Sequence, residues 1–135
     1  MASRVLLETD LKASADAIAA KLARIAAEAP QALGAELYRE AQDVLANALP
    51  ITPILTGALR RSGHADEPDA TGSGVSVTLG FGGDAAPYAV YVHENLTARH
   101  APPTQAKFLE DPLNAAMPGM ADRIAAGAGT ALGLR

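Results

Sequence analysis

Cysteine is missing from this 135-residue chain, and so is tryptophan. Without cysteine there can be no disulfide, no thiol nucleophile and no thiolate metal site. Aromatic residues are only 4% of the chain, so a core must be built from Leu, Ile, Val and a great deal of Ala. Such side chains bury less apolar area per residue than aromatics do, which implies modest stability as a monomer and motivates assembly with further copies. No apolar run approaches the roughly 18 residues of a membrane span. The run Val5-Leu6-Leu7 is too short for a secretory signal, so a soluble chain of cytoplasmic origin is expected, with the Asn95-Leu96-Thr97 sequon unmodified. Basic residues are not in excess. A formal net charge of −4 argues against electrostatic nucleic-acid binding as the main activity.

What is present reads as one domain spanning residues 1–135, with flexible ends at 1–10 and 127–135. Leu11, Ala15, Ile18, Leu22 and Ile25 recur at spacings of three and four, the mark of one apolar helix face. Pro30 is expected to end that helix. A second helix should start near Gln31 and bury Leu33, Leu37, Ala41, Val44, Leu45 and Ala48. Its wet face would carry Glu36, Arg39, Glu40 and Asp43, with Arg39 and Asp43 as an (i, i+4) pair. Pro50 and Pro53 stop it.

The period then changes. Val75, Val77, Leu79 and Phe81 alternate with Ser76, Thr78 and Gly80, the two-residue repeat of a half-buried strand. Gly82-Gly83-Asp84 is turn chemistry, and the β-rich run Tyr88 to His93 suggests the second strand of a hairpin. A third, shorter strand is expected within Arg60 to Asp69. Asp111-Pro112 resembles a helix start, with Leu113, Met117, Met120, Ile124 and Ala128 as the apolar face and Pro118-Gly119 as a kink or split. The expected class is α+β: two N-terminal helices, a small antiparallel sheet of three to four strands, and a C-terminal helix packed on the sheet.

Signs of catalysis are few. His93-Glu94 opens like a zinc-protease helix, but that motif needs a second His four residues on, and position 97 is Thr97. His64, His93 and His100 have no spacing that fixes a three-histidine metal site. Ser62, His64 and Asp66 are too close in sequence to act as nucleophile, base and orienting acid. Gly72-Ser73-Gly74 and Gly80-Phe81-Gly82-Gly83 lack the Lys-Ser/Thr of a phosphate loop and read as turns. No cofactor is implied, and the chain is not expected to be an enzyme.

Three pieces, in order, carry a resemblance. They are Thr56-Gly57-Ala58-Leu59-Arg60-Arg61-Ser62 after a proline-rich turn, then Tyr88-Ala89-Val90-Tyr91-Val92-His93-Glu94. The third runs from Arg99-His100-Ala101-Pro102-Pro103 through Lys107-Phe108-Leu109-Glu110-Asp111-Pro112. Together, over roughly residues 30 to 125, they resemble the minor capsid or tail-completion proteins of the head–tail junction of long-tailed siphophages. The sequence departs from that pattern at Pro118-Gly119, where the family's last helix runs unbroken.

The resemblance implies an α+β subunit without cofactor or catalysis. It would be located in the virion neck, and in host cytoplasm during assembly. It implies a homo-oligomeric ring, a hexamer or a dodecamer, contacting other neck and tail proteins. Genome DNA would pass through that ring without sequence-specific binding, and no membrane is involved. In that role Thr56 would cap a short helical turn with Leu59 inward and Arg60 and Arg61 outward. Tyr88, Tyr91, His93 and Glu94 would offer a strand edge for subunit contact, with Glu94 pairing to Arg99 or Lys107 across the boundary. Pro102-Pro103 would stiffen an extended arm bearing Arg99 and His100. Phe108 and Leu109 would either anchor that arm on a neighbour or enter their own core. Alternatives are a tail terminator ring, a small hydrolase using His64 or His93, and a nucleic-acid module using Arg60 and Arg61.

Overall fold

The computed structural model describes the backbone of residues 2–134 and the side chains of residues 12–134. The chain is a mixed α+β molecule, mainly helical, with a small two-stranded antiparallel sheet. One long helix, α1 (Ala2–Ala48), replaces the two expected N-terminal helices and runs straight through Pro30. A proline at a helix interior removes one hydrogen bond and crowds the preceding turn. Helical continuity survives because both flanks have strong local preference and the later half is held by packing. Pro30 itself lines an apolar groove with Leu33, Leu37 and Ile124. The expected Arg39–Asp43 pair is replaced by Arg39 leaning back on Glu36 at 3.7 Å.

A 3-10 turn, Leu49–Ile51, follows α1 and closes on Thr52. Thr52 is fully buried, and its hydroxyl donates to the Ala48 carbonyl at 2.8 Å, satisfying one of the acceptors a helix end leaves open. The helical turn α2 (Ala58–Arg61) begins at Gly57, whose φ of 84° requires the left-handed region. Thr56 does not occupy the cap position itself. Its hydroxyl accepts only a long bond of 3.4 Å from the Ala58 N–H.

The sheet is smaller than expected and differently paired. β1 (His64–Ala65) pairs with β2 (Leu79–Gly80) in antiparallel register, His64 opposite Gly80. An isolated bridge joins Asp69 to Ser76 further along. The register slips by one residue between the two, at the point where Pro68 has no N–H to give to a ladder. The alternation from Val75 to Leu79 does survive as burial, with Val75, Val77 and Leu79 half-buried and Ser76 and Thr78 exposed.

The expected strand at Tyr88 to His93 is instead a helix, α3 (Ala89–Glu94). Val90 and Val92 would share one face of a strand, yet Val90 is 76% exposed while Val92 packs on the core. Ala89, Val92 and His93 turn inward together, which is helical spacing. Burial on the core overrides the β preference of valine and tyrosine.

Two helices end the chain, α4 (Glu110–Ala116) and α5 (Met120–Ala131), split at Gly119 with φ 77°. Both pack against α1 as their main partner rather than on the sheet. Gly127 and Gly129 lie inside α5. Asp111 does not cap α4, which starts one residue earlier, and its carboxylate instead accepts from Gln105 Nε2 at 2.7 Å. The core joins Leu59, Ala86, Ala89 and Phe108, with Ile51, Phe81, Val92 and Leu109 around them. Phe81 meets Phe108 edge-to-face at 5.0 Å, and Gly63 makes room for it. A Cβ at Gly63 would come within 2.7 Å of the Phe81 ring.

Glu40, expected on the wet face of the helix, is 9% exposed and lies where α1 meets α4 and α5. Arg123 Nε donates to Glu40 Oε1 at 2.6 Å and Arg123 Nη2 to Oε2 at 3.1 Å, a two-pronged pair. The same guanidinium donates to the Ala116 carbonyl at 2.7 Å and the Pro118 carbonyl at 3.0 Å. One side chain thus ties α1 to the break between α4 and α5. The Arg123 hydrogen bonds hold the Glu40 carboxyl below the usual carboxylate range, against the opposing pull of burial.

Three outcomes are expected. Replacing Arg123 by Met leaves Glu40 without its partner and should reduce unfolding free energy by about 2–3 kcal/mol in urea titrations. Because the folded carboxyl titrates below the unfolded one, the pair's contribution is full above the unfolded value of about 4.3 and is lost as pH falls through the folded value. Glu40→Gln should flatten that acid limb when midpoints are measured against pH. Pro30→Ala restores a helix hydrogen bond and should raise stability by about 1–3 kcal/mol.

Candidate functional site

The residues singled out by the sequence fall into two groups on the structure. In the first, α3 is clasped to the segment leading into α4. His93 sits half-buried against Phe108, ring centres 5.0 Å apart at 78°. Its carbonyl accepts from the Lys107 N–H at 2.8 Å, and its Nε2 accepts from the Glu110 N–H at 3.2 Å. The network therefore assigns the ring proton to Nδ1, which donates to Glu94 Oε1 at 2.8 Å. Lys107 adopts a positive φ of 56°, an uncommon backbone for a non-glycine residue, in the same stretch that brings its amide to His93.

The Lys107 ammonium lies between two acids. It pairs with Glu94 Oε2 and lies 3.3 Å from Glu110 Oε2. Hydrogen bonding to Glu94 raises the lysine above its ordinary value, with Glu110 adding and partial burial opposing. In turn Lys107, then His93, hold the Glu94 carboxyl below its ordinary range. Glu94 and Lys107 thus pair within one chain, not across a subunit boundary as expected. Phe108 is 1% exposed and lies in its own core, with Leu109 packed beside it, so the choice between anchor and core falls to core.

The second group surrounds the proline-rich turns. Pro102-Pro103 does not form an extended arm. The chain folds back there, with Thr104 N–H donating to the Ala101 carbonyl at 2.9 Å and Gln105 N–H to the Ile51 carbonyl at 2.9 Å. Arg60, expected to face outward, is half-buried and its Nη2 donates to the carbonyls of Thr52 at 2.9 Å and Pro50 at 3.2 Å. Arg61 is exposed, reaching Thr56 O at 3.5 Å. Arg99 is exposed, and His100 is half-buried beside it. Tyr88 and Tyr91 are 39% and 71% exposed on the outer side of α3.

None of this assembles a reaction centre from the candidates considered. The Ser62 hydroxyl donates to the Leu59 carbonyl at 2.5 Å and accepts from the Gly82 N–H at 2.9 Å. His64 Nδ1 faces the Ser62 backbone carbonyl at 2.8 Å rather than that hydroxyl. Among the described residues no three of His, Asp and Glu gather in a group that could hold a metal ion. Glu40 and Arg123, which organise the helices, were missed as a pair by sequence reasoning. The signal was present for Glu40, which falls three residues after Leu37 and four before Val44, within the apolar stripe.

Comparison with protein-family models, curated proteins and solved structures gives no match to this chain.

The clasp makes a measurable claim. His93→Ala removes the acceptor for the Glu110 amide and the donor to Glu94. Amide exchange at Glu110 should accelerate by about fivefold, in line with a net hydrogen-bond contribution of ~1 kcal/mol. Exchange at Val44, in the buried stretch of α1, should change little.

Proposed function

We propose that this chain is a non-enzymatic structural subunit that assembles with copies of itself, as a ring component of a phage head–tail junction. The observation that carries the assembly reading is the exposed stretch of α1 from Lys12 to Arg24. Every side chain from Lys12 to Arg24 is exposed, including Ile18 and Leu22 at 61% each. Those two belong to the stripe Ala15, Ile18, Leu22, Ile25, which continues into the packed part of the helix. Isolated helices are marginal in water, and most helical stability in proteins comes from packing an apolar face. An apolar stripe held away from its own body therefore calls for a partner surface, and a second copy is the occupant proposed here.

The neck assignment rests on the ordered resemblance of the three segments around Thr56–Ser62, Tyr88–Glu94 and Arg99–Pro112. Tail completion is the leading role and a terminator ring capping the tail tube the alternative within that class. The exposed Tyr91, Val90 and Leu96 give α3 and the following loop a second apolar contact surface. A ring of six or twelve copies, joined to other neck and tail proteins around passing DNA, is the assembly this reading requires.

Light scattering coupled to size exclusion, with negative-stain imaging, tests it. The wild-type chain should form closed rings alone or with a neck partner, and a monomer under both conditions would sink the reading. Ile18→Asp with Leu22→Asp should leave the body's unfolding free energy within about 0.5 kcal/mol of wild type, as surface changes do, while abolishing assembly.

A further inference from the structure

The groove between the turn at 50–54 and the turn at 99–104 is unlike the rest of this acidic molecule. It encloses about 550 Å³, and three basic side chains line it, Arg60, Arg99 and His100. No Asp or Glu is among its lining residues. Arg60 is half-buried, and its two hydrogen-bond acceptors among the described residues are the neutral carbonyls of Pro50 and Thr52. Arg60 Nε is shielded from solvent and has no acceptor. His100 Nε2 is likewise shielded and without a partner. Arg99, at the rim, has no ion pair or hydrogen bond among the described residues.

A partly desolvated guanidinium without a counter-charge is an unfavourable arrangement, since burial penalises the charge and only an opposite charge compensates it well. Arginine has donors and no acceptor, so the missing group must be an acceptor with negative charge. Four prolines, Pro50, Pro53, Pro102 and Pro103, line the same groove and contribute no backbone N–H, so the charged donors there are side chains. Two fixed positive charges match a dianion, and donors on separate turns suit a tetrahedral set of oxygens better than the two coplanar oxygens of a carboxylate. We propose that the groove formed by Arg60, Arg99 and His100 is a binding site for a phosphate group. The proposal stands independently of the assembly reading.

Titration of the full chain with inorganic phosphate, followed by the ring resonances of His100 at fixed ionic strength, tests it. A saturable shift at His100, with His64 and His93 unmoved, is the expected result. Acetate at the same ionic strength should produce little shift. Arg99→Gln, a change at an exposed residue without partners, should keep the unfolding midpoint and weaken phosphate binding by about tenfold. Three results would overturn the assignment: a non-saturating shift, acetate binding as tightly as phosphate, or wild-type phosphate affinity in Arg99→Gln. Because ionic strength is held fixed and the readout is local, general salt effects on stability do not mimic binding.

Discussion

Arg123 has to reach Glu40, because without it a carboxylate would be shut among apolar side chains where three helices meet. The demand runs both ways. Glu40 fixes the rotation of α1, and Arg123 can satisfy it only when α5 starts at a set distance from the end of α4. Its remaining donors take the Ala116 and Pro118 carbonyls, the ones that the helix break at Pro118-Gly119 leaves open. The break at Pro118-Gly119 is therefore used: it supplies acceptors that an unbroken helix would have consumed internally. Close approach of α5 on α1 follows from the same geometry, and Gly127 permits it, since a Cβ there would fall 2.3 Å from the Glu36 carboxyl carbon.

Helical periodicity was readable where burial was one-sided. The stripe from Leu37 to Ala48 faces the body much as its spacing implies, whereas Leu33, expected to be buried with it, is 39% exposed; the half-buried alternation of Val75, Val77 and Leu79 is present although few of its backbone bonds form a ladder. The errors have identifiable causes. Pro30 is locally a helix breaker, but the packing that keeps α1 continuous involves residues far along the chain. Tyr88 to His93 has strand-forming side chains, yet Ala89 and His93 are held inward by Phe108 and by the backbone of Glu110. No window of ten residues contains that information.

The candidate sites divide similarly. The spacing of His93, Glu94 and Lys107 does not reveal that one lysine sits between two acids, because the turn that brings Lys107 back depends on its own unusual φ. Expecting Glu94 to pair across a boundary was reasonable for an exposed acid, and the structure uses it at home. Phe108 was legible as a large apolar anchor or core residue, and the structure decides for its own core. What remains available on the surface is narrower than the sequence suggested: the outer side of α3, the exposed stretch of α1 from Lys12 to Arg24, and the basic groove between two proline-rich turns.

The exposed stretch of α1 from residue 12 to residue 24 is about 20 Å long at 1.5 Å per residue. Being one continuous helix with the part that packs on α5, it acts as a rigid lever whose fulcrum is the α1–α5 contact. A tilt of about 5° at that fulcrum moves the far end by ~2 Å, the scale on which side-chain packing registers change. For any neighbour that grips this lever, the angle between adjacent copies is then set at the packed end, in the vicinity of Glu36, Glu40 and Gly127. Curvature of an assembly would thus be encoded by a glycine and an ion pair far from the surface that makes the contact.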